Sequence, residues 1–142
     1  MSSFNKLSDH ISVCGQISPD QVEAIKGAGF KSIICNRPDK EIPLQPRCAD
    51  VFEVAEQTGL QTVYLPMGMG QLNADIIAAM AEALETLPKP VLAYCGSGKR
   101  ASILWSFVNA KTQGVDSVLD AAQTAGYDLE NLRTALMQFC DE

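Results

Sequence analysis

At 142 residues, with 46% apolar and 20% charged side chains, the chain has the size and composition of one globular domain, 1–142, with a substantial core. A formal net charge of −6 argues against nucleic acid or an anionic membrane as a main partner, and no apolar run reaches the length of a bilayer span. The five scattered cysteines (14, 35, 48, 95, 140), the lack of Cys-x-x-Cys and the single histidine, His10, exclude a usual zinc site, so no metal or cofactor is expected.

The polar opening Met1–Asp9 has no signal-peptide core, which predicts a cytoplasmic protein with free thiols. His10–Cys14 reads as a short strand. Ser18-Pro19-Asp20 starts a helix, with a capping serine, a first-turn proline and an acid at the positive dipole end. That helix carries Val22, Ile25 and Ala28 on one face and stops at Gly29. Phe30–Cys35 is the next strand, followed by the polar loop Asn36–Glu41. Arg47–Gln57 has helical spacing and ends at Gly59. Leu60–Leu65 is a third strand or strand pair, followed by the uncharged loop Pro66–Gln71. Asn73 caps a helix through Ile76, Ile77, Met80 and Leu84, Pro88 ends it, and Pro90 opens the strand before Cys95. The long helix carrying Trp105 and Phe107, core residues by default, runs to a turn at Gln113–Asp116. Ser117–Ala125 and Leu129–Phe139 read as two more helices. Strands alternating with helices predict an α/β fold of three layers with a mainly parallel sheet. Ligands then bind beyond the carboxyl ends of the strands, where the loops Asn36–Glu41, Met67–Gln71 and Cys95–Arg100 meet.

Pro90–Ser102 carries the chemistry. An apolar strand ends in Cys95; Gly96, Ser97, Gly98, Lys99, Arg100 and Ala101 follow, and a helix begins. Glycines let successive backbone N–H groups point inward, and the helix N-terminus adds more, so the loop is an anion receptor. A thiol there, beside Lys99 and Arg100, is a nucleophile next to an anion site. Without the glycines and cations behind it, Cys95 would read as an inert core thiol. The loop is neither a Walker phosphate loop nor a dinucleotide fingerprint.

The chain resembles the phosphatase-like domain of the beta-lactamase-hydrolase-like proteins, also described as a sulfur-transferase domain. The resemblance runs from about Leu7 to Leu136. It is carried by Val13–Pro19, Ala28–Asp39, Cys95–Ser102 and Ala125–Leu129. It implies a cysteine-phosphatase-like sheet, with Cys95 as nucleophile and Arg100 as anion ligand. Members of the family often have arginine where this chain has Gly96 and histidine where it has Tyr94. An arginine fork is thereby missing, which Lys99 replaces in charge only.

Two enzyme chemistries and one binding role follow. Four residues separate Cys95 from Arg100, as in rhodanese-type sulfur transferases, where tyrosine phosphatases have five. The loop Pro66–Gln71, where a phosphatase acid is expected, has no acid, leaving Asp39 or Glu41 to reach in. We therefore expect first a sulfur transferase working through a Cys95 persulfide, from a small anionic sulfane-sulfur donor to a thiol acceptor. The alternative is a phosphatase working through a Cys95 phosphocysteine on a phosphate ester. A non-catalytic anion- or thiol-sensing domain is the third reading. Asn36, Arg37 and Asp39 either bind substrate or brace their loop, with Arg37 free to pair with Asp39 or Glu41 at the surface. Cys14 and Cys35 near strand ends are core packers or resolving thiols, and Met67 and Met69 line an adaptable apolar rim or pack.

Overall fold

The alternating pattern resolves into a five-stranded sheet covered on both faces. The computed structural model describes residues 4–141. The strands are Asn5–Ser8 (β1), Ile11–Cys14 (β2), Ser32–Cys35 (β3), Gln61–Tyr64 (β4) and Val91–Tyr94 (β5). The helices are Val22–Gly27 (α1), Cys48–Gln57 (α2), Ala74–Thr86 (α3), Lys99–Gln113 (α4), Val115–Thr124 (α5) and Arg133–Cys140 (α6). Sheet order is β1-β2-β5-β3-β4. β5 runs parallel to β2 and β3, and β3 to β4; β1 alone is antiparallel, on β2. This is the expected three-layer α/β architecture.

Strand side chains alternate between two cores because successive Cβ atoms point to opposite faces. Val13, Ile34, Val91, Ala93 and Cys95 pack with Met80, Leu104, Trp105, Leu119 and Leu136 of α3–α6. Cys14, Ile33, Cys35, Leu92 and Tyr94 pack with Val22, Ile25, Val51 and Ala55 of α1 and α2. β3 and β5 are buried along their whole length, as central strands of a doubly covered parallel sheet must be.

Local signals act largely as the sequence dictates. The Asn73 side chain accepts the Ile76 N–H at 2.9 Å, a cap worth about 1 kcal/mol. The segment from Ser18 opens with a 3-10 turn, Pro19–Gln21, before α1, and the Gln21 side chain accepts the Ser18 N–H at 2.9 Å. The segment from Leu129 likewise opens with a 3-10 turn, Glu130–Leu132. The turn expected at Gln113–Asp116 shrinks to Gly114, whose φ of 94° separates α4 from α5. β1, unforeseen in a polar segment, is an edge strand with Leu7 as its buried residue.

The register places the site. Cys14, Tyr94, Cys35 and Tyr64 lie in one row, the last residues of β2, β5, β3 and β4. Their following loops therefore leave the sheet at a common edge.

Candidate active site

Cys95 follows β5 directly, its N–H donating to the Cys14 carbonyl at 3.3 Å. The chain then turns through Gly98, at φ 94°, into α4. The turn brings the Gly98 N–H back onto Cys95 Sγ at 3.1 Å. The sulfur is buried and accepts one backbone N–H at the head of a helix. Ser102, fully buried on α4, fixes the turn by donating its hydroxyl to the Gly98 carbonyl at 2.8 Å.

Arg100 reaches across to two other loops. Nη1 donates to the Met67 carbonyl at 2.8 Å, and Nη1 and Nη2 grip both oxygens of Glu41 at 2.7 and 2.8 Å. Arg37 Nε donates to the same carboxylate at 2.8 Å, and its Nη1 to Gln16 Oε1 at 3.0 Å. Two guanidiniums thus converge on one planar oxyanion, the fork geometry that suits arginine. The Arg100 hydrogen bonds, helped by Arg37, pull the Glu41 carboxyl down to about 2 despite some desolvation. The hydrogen bonds to Glu41 raise Arg100 in turn.

The pair foreseen at the surface is instead an interior one on the arginine side, with Arg37 only 8% exposed. A Cβ on Gly96 would lie 3.3 Å from Arg100 Nη2 and 3.7 Å from Arg37 Nε. The absent side chain leaves room for a guanidinium from a different loop.

Asn36 braces the junction of the three loops. Its N–H donates to the Tyr94 carbonyl at 2.8 Å, its side chain to Leu65 O at 3.0 Å, and its own carbonyl accepts the Met67 N–H at 3.0 Å. Asp39 accepts the Cys48 N–H at 2.8 Å, at the first residue of α2, and its carboxylate is engaged there; Glu41 is the acid that meets the arginines. Lys99 is exposed. Tyr94 packs on the α1–α2 face while Cys95 belongs to the other core, so the two residues occupy opposite faces. Cys14 and Cys35 also pack on that opposite face. Burial, with the charge of Cys95 behind it, pushes the Cys14 thiol up to about 12.

Two contributors escaped the sequence reading. The Tyr127 hydroxyl donates to Ser97 O at 2.9 Å and accepts from Asn5 Nδ2 at 2.9 Å, tying the Cys95–Arg100 loop to the α5–α6 connection and to β1. Leu132 closes a pocket of about 420 Å³ beside the loop. Met67, Met69 and Leu72 from the loop after β4, with Ile103 of α4, form its walls, and Lys99 and Arg100 stand among its lining.

The model of the family "Beta-lactamase hydrolase-like protein, phosphatase-like domain" matches residues 3–112. The chain belongs to this family. A beta-lactamase hydrolase-like protein of Agrobacterium fabrum is 28% identical over 127 residues, covering 87% of this chain. The chain spans only 29% of that relative's length. A Neisseria meningitidis protein described as a candidate phosphatase superposes with a TM-score of 0.86 at 34% identity, covering 96% of this chain and 97% of the other. The kinase associated phosphatase, in a form with its catalytic-site cysteine replaced by serine, shares the fold, with a TM-score of 0.77 at 16% identity over 99% of this chain and 94% of its own. The domain has a tyrosine-phosphatase-like fold. Among the described residues, no helix is long and apolar enough to cross a membrane.

Proposed function

We propose that the chain is a thiol-dependent phosphatase acting on a small phosphate ester, with Cys95 as nucleophile and Arg100 and Arg37 as oxyanion ligands. One observation carries the reading: the Glu41 carboxylate is gripped by both guanidiniums. A carboxylate there stands in for a substrate oxyanion. The family's phosphatase relatives support this reading over the sulfur transfer expected first.

The chemistry follows from the contacts. A phosphate monoester displaces Glu41 from Arg100 and takes over its hydrogen bonds. Cys95 Sγ attacks phosphorus opposite the ester oxygen; the S–P bond forms as the P–O bond breaks. Arg100 and the loop amides stabilise charge on the remaining oxygens. The ester oxygen leaves with the bonding pair and takes a proton. Glu41, freed from its arginines and beside a dianion, holds a proton more readily than in the clamp, so it is the acid assigned to this step. Water then attacks phosphorus as the Glu41 carboxylate takes its proton, the S–P bond breaks with its electron pair left on sulfur, phosphate departs, and the thiolate and protonated Glu41 return.

A second reading keeps specific support. The Cys-x4-Arg spacing and the lack of an acid in Pro66–Gln71 suit a persulfide on Cys95. Parallel incubation with an aryl phosphate and with a sulfane-sulfur donor, followed by intact-mass measurement, separates them. A phosphoryl adduct with ester turnover, absent from Cys95→Ser, is the expected result. Uptake of one cyanide-labile sulfur without ester turnover would replace the phosphatase reading by sulfur transfer.

A further inference from the structure

The pocket beside the nucleophile loop has a composition that the anion site alone does not require. Its walls are the apolar side chains of Met67, Met69, Leu72, Ile103 and Leu132, with glycines at 68, 70 and 96. The charged residues in its lining, Lys99 and Arg100, are both cationic, in a chain of net charge −6. The pocket is therefore continuous with the oxyanion clamp through Arg100, which touches both. Met69 is 80% exposed although it faces this space, an apolar side chain left to solvent in the free protein. Methionines and glycines make a wall that adapts to the shape of its occupant.

We propose that this pocket seats the uncharged apolar body of the ligand whose single anionic head occupies the Cys95 loop. The ligand class is a compact amphiphile: one anionic group joined to a bulky hydrocarbon such as a two-ring aromatic. A multiply phosphorylated ligand would need further cations; the only cationic side chains in this lining are Lys99 and Arg100, beside one serine, three glycines and apolar side chains. A sugar would leave its hydroxyls facing the methionine and leucine walls unpaired, at a cost for each. The inference rests on the loop being an anion receptor, and it holds for either chemistry at the sulfur.

Binding of unreactive sulfonates tests it. Calorimetry on the whole protein compares 2-naphthalenesulfonate, methanesulfonate and the neutral 2-naphthol. The naphthyl sulfonate is expected to bind at least about tenfold more tightly than the methyl one, the gain from burying the ring system. Leu72→Gln and Met69→Gln should each shrink that ratio without changing methanesulfonate binding; Met69 is exposed, so its variant does not threaten folding. Arg100→Lys should weaken both sulfonates and leave 2-naphthol unaffected. Equal affinities for the two sulfonates, or a ratio untouched by both pocket variants, would overturn the proposal. If 2-naphthol binds but neither sulfonate does, the proposal falls at its anionic end, and the reading of the Cys95 loop falls with it. Turnover of phosphate esters is measured separately, so a failed phosphatase reading remains distinguishable from a failed pocket.

Discussion

Arg100 holds Glu41 by both carboxylate oxygens, at 2.7 and 2.8 Å, across 59 positions of sequence. The residue assigned to receive the substrate anion is already occupied by an anion of the same chain. On the proposed assignment, substrate would bind in competition with an internal carboxylate, and its apparent affinity would be lowered by the strength of that internal contact.

Removing the competitor should expose this. Glu41→Gln should tighten binding of inorganic phosphate or vanadate, by about 2- to 30-fold if the contact contributes roughly 0.5–2 kcal/mol. The same variant should lower kcat, since the assigned acid is gone. Calorimetry for the first effect and steady-state kinetics for the second test the two roles separately. An unchanged affinity would mean that Glu41 does not compete.

The clamp also sets an acid limit. Glu41 is shifted down, from 4.5 to about 2, by the Arg100 hydrogen bonds first. A carboxyl lowered on folding stabilises the folded state fully above its unfolded value. That contribution is lost as pH falls from about 4.5 toward about 2. Urea midpoints measured between pH 6 and pH 2.5 should fall less steeply for Glu41→Gln than for the wild type.

Of the five thiols, Cys95 alone is expected to be essential. Cys95→Ser should remove turnover by several orders of magnitude while shifting Tm little, because the exchange is nearly isosteric. Cys14→Ser, on the opposite sheet face, should retain activity. Equal inactivation by Cys14→Ser or Cys48→Ser would contradict the assignment of the nucleophile.

Gly98 is required twice over. Its φ of 94° disfavours a Cβ, and a Cβ there would overlap the Tyr127 hydroxyl. Gly98→Ala should destabilise by about 2–4 kcal/mol, the sum of left-handed strain and crowding. Combining it with Tyr127→Leu should recover the crowding part alone. Denaturant titration of the single and double variants measures the partition.

The sheet and most helices were legible because their signals are local: apolar runs between glycines, the Asn73 cap, the prolines at 88 and 90. The Cys95–Arg100 turn was legible for the same reason, its glycines and cations being adjacent in sequence. β1 was not, since a polar edge segment becomes a strand only by pairing with β2. Glu41 was noted, but its meeting with Arg100 depends on loops that the parallel register brings to one edge. Arg37 looked like a surface cation because burial of a charge follows from its partners, here Gln16 and Glu41, and not from its neighbours in sequence. Tyr127 stood in a stretch shared with the family but without a role, and Leu132 gave no sign; both reach the loop through the packing of α5 and α6 against α4.

That last contact has a consequence for where the working unit ends. The family match stops at residue 112, but the hydroxyl that braces Ser97 and the side chain that closes the apolar pocket sit at 127 and 132. A recombinant fragment cut at 112 would retain all five strands, Cys95, Arg37 and Arg100. It would also uncover the apolar surface of α4 and leave the Ser97 peptide untethered. The segment that the family model matches is shorter than the unit on which the proposed site rests, and the α5–α6 hairpin belongs to that unit.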